Sequence, residues 1–146
     1  MQRGRSNSRR FRRGATSTVN NSGTPLSATT TPPADDVTVR RGSEVPGAPA
    51  ISVVVMAIHA DARAVEAVAS LADPALPIEI IVVNTGAGSL VPLLSADLER
   101  VVLVESPTPR LPGGTRNLGL TQARGPIIAF LAADCLATLG WAARRI

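Results

Sequence analysis

From residue 51 onward the chain alternates apolar runs of strand length with amphipathic or glycine-opened stretches. Residues 51–55 (ISVVV) and 78–83 (IEIIVV) are mostly β-branched, as strands buried on both faces are. Between them Asp61 is placed to cap a helix over residues 62–72, with Val65, Val68 and Leu71 or Ala72 on one face. Asp73-Pro74 ends it. Residues 89–98 fit neither period, and Pro92 is tolerated only in the first turn of a helix. Residues 100–105 read as a third strand. Pro112 and Gly113-Gly114 then open a helix running to about Arg124, and residues 126–131 read as a fourth strand. Gly140 and Trp141 begin a last helical piece.

The order is βαβαβαβ. Short connections and right-handed crossovers then predict an α/β fold of three layers, α/β/α, around a mostly parallel, Rossmann-like sheet. Residues 1–49 have no such period. They are rich in Arg, then in Ser, Thr, Asn and Gly, then in Pro. That composition buries too little apolar surface to offset its ordering entropy. We expect a disordered tail over 1–49 and a folded domain over 50–146.

Charge sharpens this division. Residues 1–49 carry eight Arg against Asp35, Asp36 and Glu44, whereas residues 50–146 carry seven Arg against eight acids. The net charge of +4 therefore belongs to the tail. A nearly neutral folded part argues against nucleic acid as its partner. The tail itself has Phe11 as its one aromatic residue, so it has little stacking capacity for single strands. All fifteen basic residues are Arg, a bias that a GC-rich genome produces without selection for phosphate contacts. Cys135 is the single cysteine, which excludes an intrachain disulfide and fits a reduced, cytoplasmic setting. No apolar run approaches the ~20 residues of a membrane span. The stretch SRRFRRGAT is like a twin-arginine signal, but the residues after it, STVNNSGTPLSATTTPP, are polar where an apolar region is needed.

In an open parallel sheet, ligands bind beyond the carboxyl ends of the strands. That rule selects residues 57–59, 84–88 and 132–134, with the helix entry at 113–117 as a fourth wall. Polar and glycine residues gather there, while the strands are apolar. The pair Gly86 and Gly88 begins a dinucleotide fingerprint that Val91 breaks, so we read it as a turn.

Four motifs, SVVVMAIH, IIVVNTGAGS, GGTRNLGL and FLAADCLATLGW, fall in this order on the expected elements. Together they resemble the first half of family 2 glycosyltransferases. The resemblance implies a glycosyltransferase A-type fold that binds a nucleotide-diphosphate sugar for transfer of a hexosyl group. It assigns His59, Asn84, Thr85 and Gly86 to the nucleoside side of the donor. Arg116 and Asn117 match the helix-entry pair facing the nucleotide. Asp134 falls on the last acid of the D-x-D motif, where the resemblance implies Mg²⁺ or Mn²⁺ against the diphosphate.

The chain departs from that pattern at three places. Ala132 replaces the first acid of D-x-D, Cys135 follows Asp134, and Asn84-Thr85 replace paired acids. No residue present is identified as a catalytic base, so we expect an incomplete or weakly active enzyme. The family's acceptor half normally lies further on, so we expect an uncovered apolar surface or open sheet edge and possible self-association. The competing reading is a non-catalytic, degenerate α/β module whose basic arm meets anionic partners. Taken singly, His59 is as well explained as a surface histidine, Asp134 as a turn residue, Arg116 as a surface arginine and Cys135 as a small buried residue.

Overall fold

The computed structural model describes residues 36–146. Five strands form one sheet in the order β1-β4-β3-β2-β5, with β1 at Thr38–Arg41, β2 at Ile51–Ala57, β3 at Ile78–Thr85, β4 at Val101–Ser106 and β5 at Ile128–Ala132. The last four are parallel, and β1 runs antiparallel along β4. Helix α1 spans Arg63–Ser70, α2 spans Pro112–Leu120, and a 3-10 turn closes the chain at Ala143–Arg145.

The two faces of the sheet take alternate side chains, as the period of two requires. Ile51, Val53, Val55, Ile80, Val82 and Leu103 point to one side, where Ala64, Ala67 and Val68 of α1 and Leu90, Leu94 and Leu98 cover them. Val54, Ile81, Val83, Val102 and Val104 point to the other, under Leu118 and Ala123. Residues 89–98, which have neither period in sequence, form turns that bury a leucine every fourth position. Helix α2 lies so close to β2 that a Cβ on Gly119 would overlap the methyls of Val54. A side chain there would push the helix off the sheet.

Element bounds differ from the sequence reading at the ends. Helix α2 stops at Leu120 rather than Arg124 because Arg124 is drawn into hydrogen bonds with the sheet. Asp61 does not act as N-cap of α1. Ala62 holds that position, and Asp61 Oδ1 instead accepts the Arg63 N–H at 2.9 Å.

The larger correction concerns residues 1–49. Residues 1–35 of the expected tail lie outside the described residues. Thr38–Arg41, however, form a strand paired with β4 in register Thr38↔Glu105 to Arg41↔Val102. The physical reason is Glu79, a carboxylate at the start of β3 with no solvent exposure. It accepts hydrogen bonds from Arg41 Nη1 at 2.7 Å, Arg124 N at 2.8 Å, Arg124 Nε at 3.0 Å and the Ser52 hydroxyl. Ser52 Oγ in turn accepts the Gly125 N–H at 2.8 Å. Burial alone would raise the Glu79 pKa; the hydrogen bonds from Ser52, Arg41 and Arg124 outweigh it and hold the group below the ordinary value. This network ties β1, β2, β3 and the approach to β5 at the amino ends of the strands, away from the expected site.

Candidate functional site

At the carboxyl ends of β2 and β5 the sheet opens into a cavity of about 230 Å³, lined by Met56, Ala57, Ile58, His59, Asp61, Arg63, Ala132, Ala133 and Asp134. The strand register explains its walls. Met56 pairs with Ala132, so both strands end at the same level and their following residues face each other across the gap. Ala133 N–H donates to Met56 O at 2.9 Å, which fixes the turn that presents Asp134. Small residues at 132 and 133 leave the space that larger ones would fill.

One expected donor residue, His59, and the expected metal residue, Asp134, are thus brought to one cavity, and both are exposed. Two residues that carried no functional reading in the sequence join them. Asp61 Oδ2 accepts from Arg63 Nε at 3.1 Å and Nη2 at 2.8 Å, and His59 Nε2 lies 3.7 Å from the same oxygen. The Arg63 side-chain hydrogen bonds, with the Arg63 N–H, hold the Asp61 carboxyl down at about 2. Arg63 is raised in turn by the Asp61 hydrogen bond and charge, with a smaller contribution from the charge of Asp134. The only local sign of this pair in sequence is Asp-x-Arg after a strand, which reads equally well as a helix start.

The other expected residues sit elsewhere. Asn84 and Thr85 end β3, one strand over, and both are buried. The Asn84 amide donates to Gly88 O at 2.9 Å, while its Oδ1 has no hydrogen-bond partner among the described residues. Thr85 and Thr115 share a hydroxyl hydrogen bond of 3.0 Å that pins α2 to β3. Gly86 has φ 149° and packs against the backbone of Ile58, an approach that a Cβ would block. Arg116 and Asn117 are exposed on α2. The Arg116 guanidinium lies over the Phe130 ring, 5.5 Å from its centroid. Phe130 stands one pleat, about 7 Å, before Ala132 along β5, so Arg116 is below the cavity rather than in its wall. Cys135 is exposed, not buried as its ordinary preference led us to expect.

Beside β3 and β4 a second cavity, about 390 Å³, is lined by Asp36, Thr38, Gly86, Ala87, Gly88, Glu105, Ser106 and Pro107. Glu105, an acid without an assigned role in the sequence, accepts the Leu90 N–H at 2.7 Å and the Ser89 hydroxyl at 3.1 Å. It therefore caps the turn that leaves β3.

An open, mostly parallel sheet with helices on both faces and a polar-rimmed cavity past its strand ends defines a Rossmann-like α/β domain, the arrangement expected of the glycosyltransferase A type. The family model described as Glycosyl transferase family 2 matches residues 52–145, and the chain belongs to that family. Among solved structures, S. aureus TarS is similar at 26% identity with a TM-score of 0.52, covering 64% of this chain and 19% of TarS. A mannosyltransferase from Pyrobaculum calidifontis, solved in complex with GDP-Man and Mn²⁺, is similar at 20% identity with a TM-score of 0.49, covering 73% of this chain and 32% of that one. The chain thus spans about a fifth and about a third of the length of these two proteins. No curated protein matches the chain by sequence. No helix among the described residues is long and apolar enough to cross a membrane.

Proposed function

We propose that this chain binds the nucleotide-diphosphate sugar donor of a hexosyl transfer in the cavity between β2 and β5. The observation that carries the reading is the meeting of His59 and Asp134 in one cavity at the strand ends. The two residues are distant in sequence and were singled out by separate motifs of the family. Five of the seven remaining wall residues are apolar, three of them alanines, as suits a site that grips a ligand through a few convergent polar groups. Gly86 packs against Ile58 of the cavity wall, whereas Asn84 and Thr85 are buried at the end of β3 and reach a nucleobase only when the turn over Gly86 and Gly88 lifts. Arg116 and Asn117 belong to the outer approach on α2.

A resident divalent ion does not fit the residues present. Hard cations take six or more oxygen ligands. Here Ala132 and Ala133 offer no side-chain oxygen, Asp61 is engaged by Arg63, and the described residues include no group of three His, Cys, Asp or Glu side chains able to hold a metal. Asp134 alone suits an ion that arrives chelated by the diphosphate and takes one oxygen from the protein. The exposed thiol of Cys135 supports a reduced, cytoplasmic setting for this activity.

Ligand-detected NMR of the full chain against UDP-, GDP- and dTDP-sugars tests the reading, with the free hexoses as controls. The expected result is saturation by one nucleotide class and weaker binding by Ala133→Leu, which fills the cavity. A folded chain that binds none of them would instead support the degenerate, non-catalytic module.

A further inference from the structure

Asp61 and Arg63 have no task in donor binding as set out above, yet both stand in the cavity wall with Asp134. A guanidinium has two edges able to grip paired oxygens, one formed by Nε and Nη2 and one by Nη1 and Nη2. Asp61 occupies the first, through the bonds of 3.1 Å and 2.8 Å to its Oδ2. Its other oxygen accepts the backbone N–H of Arg63 at 2.9 Å, so a single carboxylate holds both ends of the residue. The second edge is left for a ligand, and it matches two oxygens of a phosphate. The brace persists at any working pH because the Asp61 carboxyl sits at about 2. It also removes rotamer freedom that a ligand would otherwise have to remove on binding.

Charge leads to the same place. The cavity wall contains one arginine and no lysine. The charge of Asp134 reaches this guanidinium, so Arg63 offsets an acid that would repel an incoming phosphate. The residues around it cannot supply the cation as a resident metal, since the oxygen ligands are too few.

We propose that Arg63 recognises the diphosphate of the donor on its free edge while Asp61 holds the other, and that donor binding in this chain does not depend on a divalent cation. The inference rests on the donor-binding reading and names the group in the site that carries it. Arg63 is a binding residue in this account, and Asp61 a positioning residue acting through it.

Calorimetry of the full chain with UDP, GDP and dTDP, each in EDTA and in MgCl₂, tests the inference. Circular dichroism confirms that each variant is folded. The wild-type chain is expected to bind one of the three with a Kd that changes by less than about threefold on metal removal, well under one tenfold step in affinity. Arg63→Ala is expected to weaken binding about 10–100-fold, the range for losing charge-assisted hydrogen bonds. Arg63→Lys recovers little, because an ammonium cannot present a planar fork. Asp61→Asn weakens binding less than Arg63→Ala does. Binding that vanishes in EDTA, or an unchanged Kd in Arg63→Ala, overturns the inference while leaving donor binding intact. A folded wild-type chain that binds no nucleotide in either buffer overturns both.

Discussion

Replacing Glu79 by Ala is the most direct test of what holds this sheet together. The carboxylate has no exposed surface and accepts four hydrogen bonds, three of them from two arginines. Breaking a buried ion pair by removing one partner costs about 3–5 kcal/mol when the other charge is stranded. Here the stranded charges have an escape. The side chains of Arg41 and Arg124 are 32% and 42% exposed, so both rehydrate in part. The Arg124 N–H retains Ser52 Oγ at 3.3 Å as a second acceptor. We therefore expect the low end, about 3 kcal/mol, against a total of about 5–15 kcal/mol for a domain. At about 4 °C per kcal/mol, the thermal midpoint read by circular dichroism falls by roughly 10 °C or more. Arg41→Ala lowers it too, and the two changes combined cost clearly less than their sum because they break one network. A Glu79→Ala midpoint within about 3 °C of wild type, a shift worth under 1 kcal/mol, would falsify the account.

Other outcomes follow from the same contacts. Glu79 is held below its ordinary pKa when folded, so its contribution is present above the unfolded glutamate value and is lost as pH falls through the lower, folded one; urea midpoints measured from pH 7 downward should fall across that acidic window, and Glu79→Gln should flatten the fall. Gly119→Val overpacks α2 against Val54 and costs about 1–3 kcal/mol, read as a lower urea midpoint and partly restored by Val54→Ala. Arg116→Ala loses a cation–π contact worth about 0.5–1 kcal/mol at an exposed site and leaves the nucleotide Kd nearly unchanged; a large loss of affinity would return Arg116 to the site. Strand β5 borders the sheet with Ile128 and Phe130 each more than a third exposed, so Ile128→Lys should reduce any self-association seen by sedimentation.

How much of this was legible depended on whether a residue's surroundings are local. Strands β2, β3 and β4 were readable because burial on both faces demands apolar residues at nearly every position, and the chain supplies them. Strand β1 was not, because all four residues of TVRR are exposed and its partners, β4 and Glu79, are remote in sequence. Strand β5 was placed two residues early, since the apolar Ile127 precedes its first paired residue and contributes only a carbonyl, which accepts the Ser52 N–H at 2.9 Å. For the site, motif order located the strand ends that bring His59 and Asp134 together. It did not show how each loop packs. Asn84 lies under its own turn and Thr85 under α2, and whether a polar side chain at a strand end faces solvent or a neighbouring loop is decided by residues far away. Asp61 and Arg63 were missed as a functional pair because an acid two residues before an arginine has no meaning until a cavity lies beside it.

Strand β1 also bears on the order in which the fold closes. Its hydrogen-bonding partner is made much later in the chain, after β2, α1 and β3, so its ladder forms only at the cost of a long loop. Until then β4 presents an unpaired, apolar edge of the kind that templates pairing between chains. A chain begun at Ala50 would keep that edge for good. The short polar strand, which shields rather than fills the core, is thus expected to set how far the sheet can be concentrated before copies of it add to one another.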